Sequence, residues 1–140
     1  MLKSSLLHPE LLRALAGAGH GSKVLIADGN YPYGTGGHPE ATRVYLNLAP
    51  GLLNVVEVLK VVAGAIPVEA AEVIVPDDGP EPPVHGEFRQ VLGKGLPLQP
   101  LRRFPFYDAA RDRNTTLVIA TGEQRIYACI LLTIGVVPPP

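Results

Sequence analysis

Charge, cysteine and long apolar runs are all scarce in this chain, and each scarcity closes off a class of function. Charged residues make up only 18% of the sequence and the formal net charge is -1. With no basic stripe, nucleic acid finds no electrostatic footprint. The single cysteine, Cys129, cannot close an internal disulfide, which favours a reducing, intracellular setting. No apolar run approaches the roughly 20 residues that span a bilayer, and Pro9, Glu10 and Arg13 interrupt any signal-peptide core. The expected setting is cytoplasmic, without membrane or nucleic-acid partners.

Several catalytic signatures are missing as well. Gly17-Ala-Gly-His-Gly-Ser-Lys23 is not a phosphate loop, because the order is Gly-Ser-Lys where a Walker sequence needs Gly-Lys-Ser/Thr. Nor is it a dinucleotide fingerprint, since it follows a helical pattern and opens a strand rather than the reverse. His8, His20, His38 and His85 are scattered without the i, i+4 spacing of a helical metal site. The Gly-x-Ser-x-Gly of a serine hydrolase does not occur.

What remains is the composition of a globular protein. With 140 residues, 46% of them apolar, the chain can bury a substantial core and is expected to form a single domain over 1–140. Glycine and proline, 15 of each, fall as punctuation between periodic segments. Leu7, Leu11, Leu12 and Leu15 recur at helical spacing with Pro9 in the first turn, predicting a helix over about 8–17. Val24 to Asp28 is a short apolar run between turn residues and reads as a strand buried on both faces. A loop over 31–37 follows.

Arg43 to Leu48 alternates, placing Val44, Leu46 and Leu48 on one strand face. Residues 52–63 are rich in valine, yet Asn54, Glu57 and Lys60 form one solvated helix face. A strand over 68–75, an exposed loop over 77–83 and an amphipathic helix over 84–92 come next. A short extended piece then leads to a helix from Pro105 to about 112. Strands over 116–120 and 127–132 are separated by so short a linker that a hairpin is expected. Strands alternating with helices make this α/β with a mixed sheet.

Taken singly, the candidate functional residues have ordinary explanations. His20 fits a surface turn, and Asp28 fits an aspartate making a turn through its side chain. Arg102 and Arg103 fit a solvated pair, Phe104, Phe106 and Tyr107 fit core, and Tyr127 fits strand packing. Their order along the chain says more. Gly19-His20-Gly21, Asp28, Arg103-Phe-Pro-Phe-Tyr107, Thr121-Gly-Glu123 and Tyr127-Ala-Cys-Ile-Leu-Leu-Thr-Ile-Gly-Val136 occur in a sequence that resembles the D-ribose pyranase and L-fucose mutarotase family (RbsD/FucU). The resemblance runs from Pro9-Glu-Leu-Leu12 to Gly135-Val136, and the Arg-Phe-x-Phe-Tyr element is closer to the fucose branch.

The resemblance implies a three-layer α/β/α fold with a mixed, mostly parallel central sheet. It implies a cofactor-free isomerase that opens a monosaccharide ring and recloses it on the other face of the carbonyl. His20 matches the catalytic histidine of that family, Asp28 a sugar-binding aspartate and Arg103 a sugar-binding arginine, with Tyr107 beside it. Tyr127, Ala128 and Cys129 match a sugar-contacting Tyr-Gly/Ala-Asn segment, with Cys129 in place of the usual asparagine. The family's ring-shaped homo-oligomers, often decamers, carry their sites between subunits. That arrangement would reconcile two residues at opposite ends of one strand. An imidazole titrates near neutrality, so a histidine can give and take a proton at cell pH, while Asp28 could orient it or accept sugar hydroxyls. The alternatives are a sugar-binding or transport-associated protein with little catalysis, and a nucleotide-binding α/β module.

Overall fold

The computed structural model describes residues 1–140. Its element order is α1 (Pro9–Gly17), β1 (Lys23–Ala27), β2 (Thr42–Tyr45), α2 (Val55–Ala63), β3 (Val68–Ile74), α3 (Val84–Leu92), β4 (Leu98–Leu101), α4 (Arg103–Ala110), β5 (Thr115–Ala120) and β6 (Ile130–Ile134). No helix is long and apolar enough to cross a membrane.

The helices begin and end where local chemistry favours it. In α1, Pro9 occupies the first turn, and the His8 ring accepts the Leu11 N–H at 3.4 Å. The α2 helix starts three residues later than the valine-rich stretch suggests, because Asn54 caps it. Its side chain accepts the Glu57 N–H at 2.9 Å, and Glu57 reaches back to the Asn54 N–H at 3.2 Å. Helix α3 stops at Gly93, whose φ of 84° suits glycine alone.

Six strands form one sheet in the order β2-β5-β1-β6-β3-β4. Strands β2, β5 and β1 are mutually parallel and β3 runs parallel to β4, whereas β6 is antiparallel to both neighbours, β1 and β3. The expected hairpin between the last two strands is therefore absent: β1 lies between β5 and β6. The linker is short, but Tyr127 sits in a turn with φ 58° and the ladder pairs start only at Ile130, so β6 begins at Ile130 and not at 127. Strand β2 likewise ends at Tyr45, leaving Leu48 exposed.

Alternation along β1 divides the core. Val24 and Ile26 face a layer built by α1, α2 and α3, with Leu11, Leu15, Val55, Leu59, Val62, Val84 and Phe88 buried against them. Leu25 and Ala27 face the opposite layer, where Phe106 and Ala110 of α4 pack with Tyr31 and Leu131. Three layers result. Since β6 alone runs against the others, the carboxyl ends of β1, β3, β4 and β5 share one edge with the start of β6. In open α/β sheets that edge is where ligands collect.

Candidate functional site

The carboxyl edge brings together most of the residues singled out from the sequence. A surface cleft of about 260 Å³ is lined by Asp28, Asn30, Tyr31, Ile74, Arg103, Tyr107, Ile126, Tyr127 and Cys129. That volume lies just below the roughly 300–1,000 Å³ of sites for drug-sized ligands, so it suits a single small ring. A larger cleft between α2 and α3, about 430 Å³, gathers only Lys60, Glu87 and Gln90 among apolar neighbours and has no such convergence of polar groups on one point. No group of three or more His, Cys, Asp or Glu gathers at metal-ligating range.

Asp28 is the anchor. It follows β1 directly and is 5% exposed. One carboxylate oxygen accepts the Asn30 N–H at 3.0 Å and the other the Ala128 N–H at 3.3 Å. Its own N–H donates to Cys129 Sγ at 3.3 Å, which sets the thiol beside the carboxylate. Burial pushes the Asp28 carboxyl above the usual carboxylate range, against the lowering effect of these hydrogen bonds. Burial also pushes the Cys129 thiol well up, so it stays protonated at neutral pH. Tyr33 Oη lies 2.6 Å from the Asp28 carbonyl and 3.0 Å from that of Thr121, tying β1 to β5, and burial raises its phenol to about 12.

The chain must approach itself closely here. A Cβ at Gly29 would lie 2.9 Å from the Glu123 carbonyl oxygen, whose acceptance of the Gly29 N–H at 2.8 Å needs that proximity. Glu123 is itself buried. Burial would raise its carboxyl, but Arg125, bonded through Nε at 3.0 Å and Nη2 at 2.8 Å, holds it below the usual range. The same carboxylate accepts the Val55 N–H, the first amide of α2, at 3.3 Å. The buried Glu123 carboxylate, paired with an Arg125 that is 42% exposed, thus docks α2 onto the loop after β5.

Arg103 and Tyr107 enter from α4 one helical turn apart. The exposed Arg103 guanidinium lies over Phe104 at 5.5 Å and Tyr107 at 5.6 Å, and Tyr107 meets Tyr31 edge to face at 5.2 Å. Phe104, read as core from the sequence, is 69% exposed; only Phe106 of that motif is sealed. Tyr127 departs from its expected strand too. It occupies a left-handed turn, φ 58°, which directs its ring to the cleft.

His20 is elsewhere. It sits in the turn before β1, where Gly21 adopts φ 82° and donates to the Ile134 carbonyl at 2.9 Å. The five residues of β1 alone separate it from Asp28 by roughly 16 Å. Asp28 therefore does not orient the imidazole of its own chain. Glu69, at the start of β3, meets His20 Nε2 at 2.9 Å instead.

Asn30, Tyr31, Ile74 and Ile126 complete the cleft without having been identified from the sequence. Tyr31 follows Asp28 within the same turn and was legible as a neighbour. Ile74 and Ile126 carry no local signal, because only the sheet order brings them there.

Residues 1–137 match the RbsD / FucU transport protein family. The chain is 33% identical to the fucose mutarotase of Danio rerio over 147 aligned positions, covering 96% of this chain and 92% of that protein. Its fold superposes on the fucose mutarotase of Streptococcus pneumoniae, solved in complex with L-fucose, with a TM-score of 0.83 at 26% identity, covering 98% of this chain and 100% of that one. Bacillus subtilis RbsD, solved with D-ribose, gives a TM-score of 0.80 at 26% identity over 99% and 100% of the two chains. From its sequence, its sheet order and these likenesses together, this chain belongs to the RbsD/FucU family.

Proposed function

We propose that this protein is a monosaccharide mutarotase that interconverts the anomers of a sugar such as L-fucose by acid/base-assisted ring opening. The observation that carries this reading is the convergence of Asp28, Arg103, Tyr107, Tyr127 and Cys129 in one ring-sized cleft. In this mechanism the cyclic hemiacetal loses its anomeric hydroxyl proton as the ring oxygen gains one, the carbonyl turns over, and both transfers reverse. Asp28 accepts sugar hydroxyls, Arg103 donates to their oxygens, and the Tyr107 and Tyr127 rings cover the apolar face of the sugar. His20 serves as acid and base, with Glu69 holding one ring nitrogen and leaving the other for the sugar.

Within one chain His20 cannot reach the cleft, so the reading includes a homo-oligomer in which His20 of one subunit faces the cleft of its neighbour. Exposed Leu48, Leu52, Phe104, Ile126 and Val137 offer apolar surface for that contact. A second reading, sugar binding with little catalysis, is favoured by the same separation if the protein is monomeric.

Saturation-transfer NMR on fucose, ribose, galactose and related sugars, with and without protein, tests the proposal. Accelerated anomer exchange is expected for at least one sugar, lost in His20→Ala while the fold and assembly persist. Saturable sugar binding without acceleration would select the second reading. Undiminished exchange in His20→Ala would remove His20 from the chemistry.

A further inference from the structure

His85 has no exposed surface, and nothing in the proposed reaction uses it. It lies in the first turn of α3, its ring stacked on Phe88 at 5.7 Å with 23° between planes. Its Nε2 is 3.2 Å from the carbonyl oxygen of Tyr127. A carbonyl only accepts, so Nε2 carries the hydrogen and the neutral ring is the Nε2–H tautomer. Nδ1 has no hydrogen-bond partner, and the nearest carboxylate, Glu81, is 3.8 Å away and already paired with Arg89.

That carbonyl belongs to the peptide whose other end is the Ala128 N–H. The Ala128 N–H donates to Asp28 at 3.3 Å. One rigid peptide plane is thus pinned at both ends, by His85 on the outer side and Asp28 on the cleft side. Tyr127 needs such pinning, because its φ of 58° is one that residues with a side chain adopt at a cost.

We propose that His85 is a positioning residue for the cleft: its Nε2–H holds the Tyr127 carbonyl, fixing the peptide that gives Asp28 its Ala128 hydrogen bond and aims the Tyr127 ring. Burial supports this role by pushing the imidazole below its ordinary value, which keeps the ring neutral at pH 7. The Tyr127 carbonyl, then Glu81 and the Ile74 backbone, pull the other way without overcoming burial, and Arg89 adds to the lowering. The consequence for turnover rests on the mutarotase reading, but the pinning of the peptide does not.

Long-range ¹⁵N–¹H spectra of the wild-type protein should show the Nε2–H tautomer at neutral pH; the Nδ1–H tautomer or an imidazolium would overturn the proposal without any variant. His85→Leu fills the space but donates nothing, whereas His85→Gln can place an amide N–H on the same carbonyl. In His85→Leu, the exchange rate of the Ala128 amide with solvent should rise about tenfold or more, and kcat/KM for sugar exchange should fall by about 10- to 100-fold, as displacement of a positioned group by an ångström does. His85→Gln should restore both to within about threefold. Equal loss in the two variants, or no change in His85→Leu, would overturn the proposal. If wild-type protein accelerates no sugar exchange while the tautomer and Ala128 protection are as described, the mutarotase reading fails and the positioning role stands.

Discussion

At the carboxyl end of β1, Asp28 is almost wholly buried and each carboxylate oxygen already holds a backbone N–H, while at the amino end the His20 side chain is 60% exposed and meets Glu69 alone. The first arrangement is finished within one chain. Its donors and acceptors are fixed before any ligand arrives, and fixed polar groups in a low-dielectric cleft are worth more than the same groups in water. The second arrangement is open, its two side chains reaching into solvent from the turn before β1 and the start of β3, across the end of β6, which separates those strands. Under the proposed function this contrast has a simple meaning: the binding half is built inside the subunit, and the proton-transferring half is held out for another subunit to use.

Removing Asp28 should have the largest effect, because it strikes the finished end twice. Asp28→Ala leaves the Asn30 and Ala128 N–H groups without their acceptor, and at the fully buried Ala128 the unpaired donor costs about 1–3 kcal/mol. A lower denaturation midpoint and a loss of sugar exchange of about 100-fold or more are the expected outcomes in urea titration and saturation-transfer NMR. Wild-type stability in this variant would break the contrast.

A smaller effect should appear in the pH dependence of stability, again at this end. Since burial raises the Asp28 pKa, the native chain keeps that proton where the unfolded chain has lost it. Stability from this group is present at low pH and lost as pH rises from the usual carboxylate range through the raised value. His85 acts with the opposite sign. Its pKa is depressed, so its contribution is present above the ordinary histidine value near 6.5 and is lost as pH falls below it. Urea midpoints measured across pH should show both slopes, the first flattened in Asp28→Asn and the second in His85→Gln. Unchanged slopes would mean that neither group differs between the folded and unfolded states.

The smallest effect belongs to the open end. Glu69→Gln should change stability by less than about 0.5 kcal/mol, as expected for an exposed pair. A loss above about 1 kcal/mol would show that this end is as tightly built as the other.

Much of the finished end was legible in the sequence because its signals are local. A buried apolar run closed by Asp28 and the Arg103-Phe-Pro-Phe-Tyr107 motif are each written within a few residues, whereas Asn54 reads as a solvated helix position until its capping role is seen. The open end was legible only in part: the glycine turn marks His20, but nothing near it announces Glu69, which is 49 positions away. The expected hairpin failed for a related reason. A short linker permits pairing but does not decide it, and β1, buried from Val24 to Ala27, takes the place between β5 and β6 by offering apolar surface to both faces of the core. His85 was invisible as a functional residue, because a histidine in an amphipathic helix looks the same whether it holds a carbonyl or merely packs.

The central claim, that His20 and Asp28 act together across a subunit boundary, has a direct test. His20→Ala and Asp28→Asn chains, each inactive alone, are mixed in equal amounts, unfolded and reassembled together, and assayed for anomer exchange. In a random assembly with each site drawn from two chains, about one site in four pairs an intact His20 with an intact Asp28. Recovery of about a quarter of the wild-type activity is therefore the predicted result. Activity no higher than that of the two variants assembled separately would contradict it.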